Sequence, residues 1–462
     1  MNLSWTGATS DTGSELYEVP RFRSGIEIRP PSRKSFFRKK LTISQFFLIC
    51  WLFVPTNYFE RTIDGNNFIR GNFKVVRNVN RALVLNLIRE RQPISRVQIA
   101  KLTGLNKSTV SSVVHDLLDD DLIFEQETSD KNVGRNPIQL RIKGGGHFVG
   151  TINIDSQKTS IAVVDITGSL KDSVARKTEP GNPAAFVRSC VEELFVLSKR
   201  SGIPALKGIG VSVAGIVDPK KSRVIISPSL RWEGFDIGAV IKECTPPGTS
   251  VSVDNDSRSS ALAELWFGTH KEVLSNFVFV SVGPGIGTGI VNNRNVLTGA
   301  FYASGEFGHM TLFEGGQLCA CGNQGCWEAY ACEGAAIARY AALKEQNAEQ
   351  VAGLFFQDLA EKALAGELQA LQALRGMGYF LGLGIANIVR AVDPLAIIIG
   401  GRITQLWELI YPEIAATVSQ RSFFGTQHRI DILPTSLKVE PRLLGAATLA
   451  IKEIFSDYRI MV

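Results

Sequence analysis

Cysteine, histidine and surplus charge are all scarce in this chain. Its 462 residues include seven cysteines and five histidines. Cys50, Cys190, Cys244 and Cys332 are scattered without the spacing of a disulfide framework, and no cleavable signal accompanies them, which suits a reducing cytoplasm. The formal net charge is +6, which allows nucleic-acid binding without arguing for it, so the placement of basic residues matters more than their sum. A long apolar run is lacking as well. Leu41 to Val54 follows the basic flank Arg33-Lys34-Ser-Phe-Phe-Arg38-Lys39-Lys40 as an uncleaved anchor would. Its fourteen residues, broken by Thr42, Ser44 and Gln45, fall short of the ~20 that a spanning helix needs, which disfavours a membrane tether. Methionine is absent between Met1 and Met310, so translation could begin at another codon near Val75 or Val76. Residues 1–76 are therefore expected to be a disordered or untranslated extension. With 45% hydrophobic and 20% charged residues the remainder is globular, and its length calls for two or three domains rather than one core.

What is scarce elsewhere is concentrated in one stretch. Glu306-Phe-Gly308-His309 is followed by Cys319-Ala-Cys321-Gly-Asn-Gln-Gly325-Cys326-Trp-Glu328. Three cysteines and a histidine supply the four donors of a tetrahedral Zn²⁺, and Gly322 and Gly325 let the backbone aim them at one point. Four protein ligands leave no position for an activated water, so the metal is expected to hold a loop rather than do chemistry. The alternative is three buried free cysteines beside a surface histidine. His115, His147, His270 and His428 have no neighbours of ligand type.

Upstream, Asn80 to Arg91 places apolar residues on one helical face and stops at Gln92-Pro93. Ser95-Arg-Val-Gln98 has the form of a capping box opening a second helix, and Thr103-Gly104-Leu105 supplies a tight turn. Asn106 or Ser108 then caps a third helix running to about Asp119. This is a helix-turn-helix. Lys107, Ser108, Thr109 and Ser111 begin the third helix with side chains suited to base edges and phosphates, while Val110, Val113, Val114 and Leu117 face the core. Leu122-Ile-Phe-Glu-Gln and Gln139-Leu-Arg-Ile142 read as strands flanking a wing with Lys131, Gly134, Arg135 and Pro137, whose Arg135 could meet phosphate or enter a minor groove. A winged helix over 78–142 is the expectation. Its partner is a DNA operator, with a protein-docking role as the alternative.

Beyond the linker Lys143-Gly-Gly-Gly146, the order strand, strand, strand, helix, strand up to Gly208-Ile-Gly-Val-Ser-Val-Ala-Gly215 is that of a ribonuclease-H-like lobe. Asp254-Asn255-Asp256 ends a further strand at a helix start, where an aspartate suits either a general base or an N-cap. Gly283-Pro-Gly285-Ile-Gly287-Thr-Gly289 is a glycine turn between strands. Asp393-Pro-Leu-Ala-Ile-Ile-Ile-Gly400-Gly401 is a buried strand closing on two glycines, and Leu443 to Ala450 is a helix of small residues.

Glu-x-Gly-His followed by Cys-x-Cys-Gly-x-x-Gly-Cys-x-Glu resembles the signature of the ROK family of repressors, open reading frames and kinases, and the likeness extends with departures over residues 78–455. The resemblance implies an α/β protein in which the winged helix is joined to a two-lobed, actin- and hexokinase-type domain, here residues 148–455. It also implies that zinc, held by His309, Cys319, Cys321 and Cys326, fixes a sugar-binding loop. Sugar contacts carried over are Asn255, Asp256, Glu306, His309 and Glu328, with Asp256 matching the kinase base. Two departures stand out. The kinases place Asp-x-Gly-Gly-Thr in their first hairpin so that backbone amides can close around ATP phosphates, whereas this chain has Asp155-Ser-Gln-Lys158-Thr159. Ser229 replaces the asparagine of a Pro-Asn-Leu motif. The expectation is a cytoplasmic, sugar-responsive DNA-binding regulator of carbohydrate genes, most simply a repressor. It binds a sugar or sugar phosphate and structural Zn²⁺ as a homodimer or higher homo-oligomer, without catalysis. The alternatives are an ATP-dependent sugar kinase carrying a DNA-binding head and a zinc-stabilised docking module.

Overall fold

A computed structural model describes residues 73–127, 138–203, 205–345, 353–421 and 430–456. The apolar run at 41–54, the wing residues Lys131, Gly134, Arg135 and Pro137, and His428 lie outside the described residues.

Three helices and a small sheet come first. Helix α1 (Phe73–Arg91) begins earlier than the Asn80 expected, because nothing from Phe73 onward breaks a helix. Arg77 anchors the added residues through an ion pair to Asp116 at 2.7 Å, and Arg81 pairs with Asp120 at 2.5 Å. Strand β1 (Ile94–Ser95) leads into α2 (Arg96–Thr103) through the expected capping box, in which Ser95 N–H donates to Gln98 Oε1 at 2.9 Å. Gly104 ends α2 in the left-handed conformation, φ 71°. Asn106, rather than Ser108, caps α3 (Lys107–Asp119), its Oδ1 accepting from Thr109 N–H at 2.7 Å. Strands β2 (Ile123–Gln126) and β3 (Gln139–Ile142) complete an antiparallel sheet in the order β1-β3-β2, giving a winged helix-turn-helix.

The next lobe is built on β4 (Phe148–Ile154), β5 (Lys158–Asp165), β6 (Leu170–Lys177), α4 (Pro183–Arg200) and β7 (Gly208–Val213). A small sheet of β8 (Ile216–Asp218), β9 (Arg223–Ser227) and β10 (Trp232–Phe235) is followed by α5 (Ile237–Glu243) and β11 (Ser250–Asn255). The five-stranded order is β11-β7-β4-β5-β6, with β4, β5 and β6 antiparallel and β7 and β11 parallel to β4. Strand β7 is buried along its whole length, as an apolar strand covered on both faces must be.

Helix α6 (Asp256–Phe267) crosses to the second lobe, where β12 (Phe277–Val282), β13 (Ile286–Asn292) and β14 (Asn295–Val296) precede the loop of the cysteine motif. Helices α7 (Glu328–Ala331), α8 (Glu333–Leu343), α9 (Phe356–Leu364) and α10 (Leu368–Val392) pack around β12 and β13. Then come β15 (Ala396–Gly400), α11 (Trp407–Gln420), β16 (Asp431–Pro434) and α12 (Pro441–Phe455), and the sheet order is β14-β13-β12-β15-β16. Helix α12 returns to the first lobe and packs on β4, β7 and β11 and against α6, so these two helices lie between the sheets. Their apolar residues join the core of the winged helix: Ala447, Ala450, Ile451 and Phe455 are buried together with Val84, Leu85 and Ile88. Truncating one of these large side chains to alanine would cost about 2–5 kcal/mol. Among the described residues no helix is long and apolar enough to cross a membrane.

Candidate functional site

The cysteine motif folds back on itself after a single 3₁₀ turn at Phe307–His309. Leu312 N–H donates to Gly325 O and Cys319 N–H to Asn323 O, both at 2.8 Å, and these hairpin bonds draw the ends of the loop together. Gly325 is required there. Its φ is 79°, and a Cβ would fall 1.7 Å from Phe313 O. Trp327 anchors the exit: its ring is fully buried and Nε1–H donates to Phe380 O at 2.8 Å.

One donor atom from each of His309, Cys319, Cys321 and Cys326 lies within 4.8 Å of the others. Cys321 Sγ and Cys326 Sγ are 3.7 Å apart, as are Cys319 Sγ and His309 Nδ1. A tetrahedral centre with Zn–S bonds near 2.3 Å and Zn–N near 2.05 Å would place such pairs about 3.8 and about 3.6 Å apart. The donor set therefore fits a metal ion. Burial pushes the Cys319 thiol up to about 12, so a cation is what would draw out its proton.

The cleft beside this cluster collects the carboxylates. Glu306 keeps an exposed surface, yet desolvation by the protein around it, with Asp256 and Glu328 nearby, holds its carboxyl above the usual range. Glu328 begins α7 and its Oε2 accepts from Ile286 N–H at 2.8 Å, which ties the metal loop to the start of β13. Its other oxygen faces Cys319 Sγ at 3.7 Å.

The two candidate residues at the start of α6 divide their work in a way the sequence left open. Asn255, not Asp256, is the N-cap: its Oδ1 accepts from Ser257 and Arg258 N–H, both at 2.9 Å, and its Nδ2 donates to Gly215 O at 2.9 Å. One amide hydrogen of Asn255 has no partner among the described residues. Asp256 is the first helical residue; its Oδ1 accepts from Ser257 N–H at 2.8 Å, and its Oδ2 is turned towards Arg442 Nε at 3.9 Å. An asparagine cap leaves the aspartate free to face the cleft.

Two buried arginines carry roles that sequence reading missed. Arg258 is 2% exposed and holds Asp254 through Nε at 3.0 Å, with further bonds to Val217 O at 2.9 Å and to Tyr302 O. It thereby joins α6, β8 and the segment before Glu306. Arg442, at the head of α12, faces Asp155, Asp256 and Glu440. In the first hairpin Asp155 Oδ1 accepts from Gln157 N–H at 2.8 Å and Lys158 N–H at 2.7 Å. Two of the loop's amides are thus satisfied from within. Ser229 is exposed on the turn between β9 and β10.

On the winged helix, Lys107, Ser108 and Ser111 are exposed and Thr109 is half-buried in the first turns of α3, while Val110, Val113, Val114 and Leu117 are buried. Ser108 Oγ donates to Asn106 Oδ1 at 2.8 Å, so part of its hydrogen-bonding capacity serves the cap. His147 and His270 bond backbone carbonyls at 2.7 and 3.0 Å.

Comparison with known proteins gives a consistent set of relatives. The model of the ROK family matches residues 149–453. The chain is 31% identical over 379 residues to the xylose repressor of Bacillus subtilis, covering 81% of this chain and 96% of that protein. A crystal structure of a ROK family transcriptional regulator described as a homologue of the E. coli MLC protein aligns with a TM-score of 0.70 and 25% identity, over 83% of this chain and 97% of the other. A ROK family glucokinase from Streptomyces griseus, solved with glucose and AMPPNP, aligns with a TM-score of 0.59 at 25% identity. It covers 66% of this chain and 99% of its own.

Proposed function

The chain belongs to the ROK family, and from that premise we propose that it is a sugar-responsive, DNA-binding transcription regulator, most simply a repressor of carbohydrate genes. One observation carries the reading. The winged helix is not tethered at a distance: it shares a buried core with α6 and α12, whose first residues lie in the carboxylate cleft. Lys107, Ser108, Thr109 and Ser111 are the residues for DNA, together with Arg135, and an operator of two half-sites read by a homodimer follows from the usual symmetry of such readers. Asn255, Asp256, Glu306, His309 and Glu328 hold the hydroxyls of a monosaccharide, and resemblance to a xylose repressor makes D-xylose the first sugar to test. Zn²⁺ on His309, Cys319, Cys321 and Cys326 fixes the loop that carries Glu306 and Glu328. The protein works in the cytoplasm.

Sugar kinase activity is the competing reading, supported by the glucokinase likeness and by Asp256 in the cleft. Two features weigh against it. Two amides that would cradle a phosphate, those of Gln157 and Lys158, are occupied by Asp155, and Asp256, the match to the kinase base, faces Arg442. Mobility-shift titration with a duplex selected from a randomised pool tests the proposal. D-xylose or another sugar is expected to change DNA affinity at least tenfold, and a sugar that binds the protein without changing it would refute the regulator reading.

A further inference from the structure

Arg442 has more partners than a helix-start residue needs. Its side chain is 12% exposed and its guanidinium lies 3.5 Å from Asp155 Oδ2, with Nε 3.9 Å from both Asp256 Oδ2 and Glu440 Oε1. Nε also donates to Ser281 Oγ at 3.2 Å. Asp155 follows β4 in the first sheet and Ser281 belongs to β12 in the second, so one side chain spans both lobes. Gly283 closes the far side, since a Cβ there would fall 2.4 Å from Nη2. A planar five-donor fork can hold several acceptors at fixed angles, whereas a lysine offers a point charge.

The helix that begins at this cluster reaches the DNA-binding module. Fifteen residues of α12 span about 22 Å, and its last turns, Ile451 and Phe455, are buried among α1 side chains. Helix α6 runs beside it from Asp256 to Trp266 and Phe267. Trp266 meets Phe455 edge-on at 5.4 Å, Arg89 of α1 lies 4.0 Å over the Trp266 ring, and Asn86 Nδ2 donates to Phe455 O at 3.3 Å. Both helices therefore start in the cleft and end against the first helix of the winged helix.

We propose that Arg442 is the positioning residue through which the cleft governs the DNA-binding module. It sets the start of α12 relative to α6 and the approach of the two lobes by holding Asp155, Asp256 and Ser281 at once. A sugar hydroxyl that donates to Asp256 competes with Arg442 for that carboxylate, and the change passes to α1 through two packed helices that move as a unit. The sugar step rests on the functional reading above; the mechanical link does not.

Hydrogen exchange of the full-length protein, without sugar or DNA, separates the two. Arg442→Gln is expected to speed exchange at least fivefold in Ala82 to Ile88 and in Ile451 to Phe455, while β15, in the second lobe, changes less than twofold. Arg442→Lys, which keeps the charge, is expected to recover part of the protection. Equal acceleration of α1 and β15 would mean general destabilisation and overturn the proposal, as would unchanged α1. If Arg442→Gln does not fold, Asp155→Asn removes a charged partner of Arg442 and must give the same pattern. In wild type 10 mM D-xylose is then expected to alter exchange in α1, and in Arg442→Gln to bind by calorimetry without doing so; full transmission in the variant overturns the proposal. If wild type binds no sugar, the functional reading fails while the sugar-free exchange result still decides the link.

Discussion

Removing the metal should weaken sugar binding without weakening DNA binding, and the size of the effect can be worked from the loop. The ligands enclose eighteen residues, His309 to Cys326, and cross-linking a loop of that length removes about 3 kcal/mol of chain entropy at 25 °C. The loop's own bonds, such as Leu312 N–H to Gly325 O, retain part of its order without metal. A loss of about 2–3 kcal/mol in the population of the competent loop raises the apparent Kd for sugar about 30- to 150-fold, because binding must first restore the loop. Operator affinity is expected to stay within about threefold, since α3 rests on Val110, Val113, Val114 and Leu117, in a core that no residue of the metal loop joins. Elemental analysis of the purified protein should give one zinc per chain and none in Cys321→Ser. Calorimetry before and after chelation then measures the sugar term. Chelated protein that binds sugar with undiminished affinity, or a Cys321→Ser variant that keeps its zinc, would refute the reasoning.

Three further outcomes are expected. Arg258→Met strands the buried Asp254 carboxylate, a loss of about 3–5 kcal/mol, and should lower Tm by about 4–6 °C in a thermal scan; Arg258→Lys, which keeps the charge and loses the fork, should fall between. Lys107→Ala should weaken DNA binding evenly across sequences and reduce the salt slope of log K by about 1, whereas Ser111→Ala should leave the slope unchanged, both read by fluorescence anisotropy at several salt concentrations. Cys190 lies on the buried face of α4 and burial pushes its thiol up to about 12 from an ordinary 9.0, so native protein at pH 8 should leave it unalkylated by iodoacetamide. Unfolded chains lose that thiol proton above pH 9 while folded ones keep it, so stability must decline as pH rises from 9 towards 12.

Local signals made much of this molecule legible from its sequence. The Ser95 capping box, the Gly104 turn and the strand-strand-strand-helix-strand order each depend on a few neighbouring residues, and the structure carries all three. The cysteine cluster was legible for the same reason, because glycines between close ligands leave few ways to fold. Long-range partners were not. Arg442 stands in an ordinary helix-start context, and only the fold brings it to Asp155 and Asp256. The cap at α6 also eluded sequence reading, since Asn255 and Asp256 are both good N-caps and only the fold gives the Ser257 and Arg258 N–H groups to Asn255 Oδ1. The start of α1 lies before the sequence expectation because its first turns are held from a distance, by Asp116 on α3 and Asp120 just past its end, each 39 residues from its partner.

Calorimetric titration of the full-length protein with D-xylose, other pentoses, hexoses and amino sugars, followed by addition of Mg-ATP and assay for sugar phosphate, tests the regulator reading most directly. The prediction is saturable binding of a sugar at one site per chain with no phosphate transferred. Turnover that disappears in Asp256→Asn would contradict it, and would mean that the Asp155 hairpin and Arg442 still admit a nucleotide.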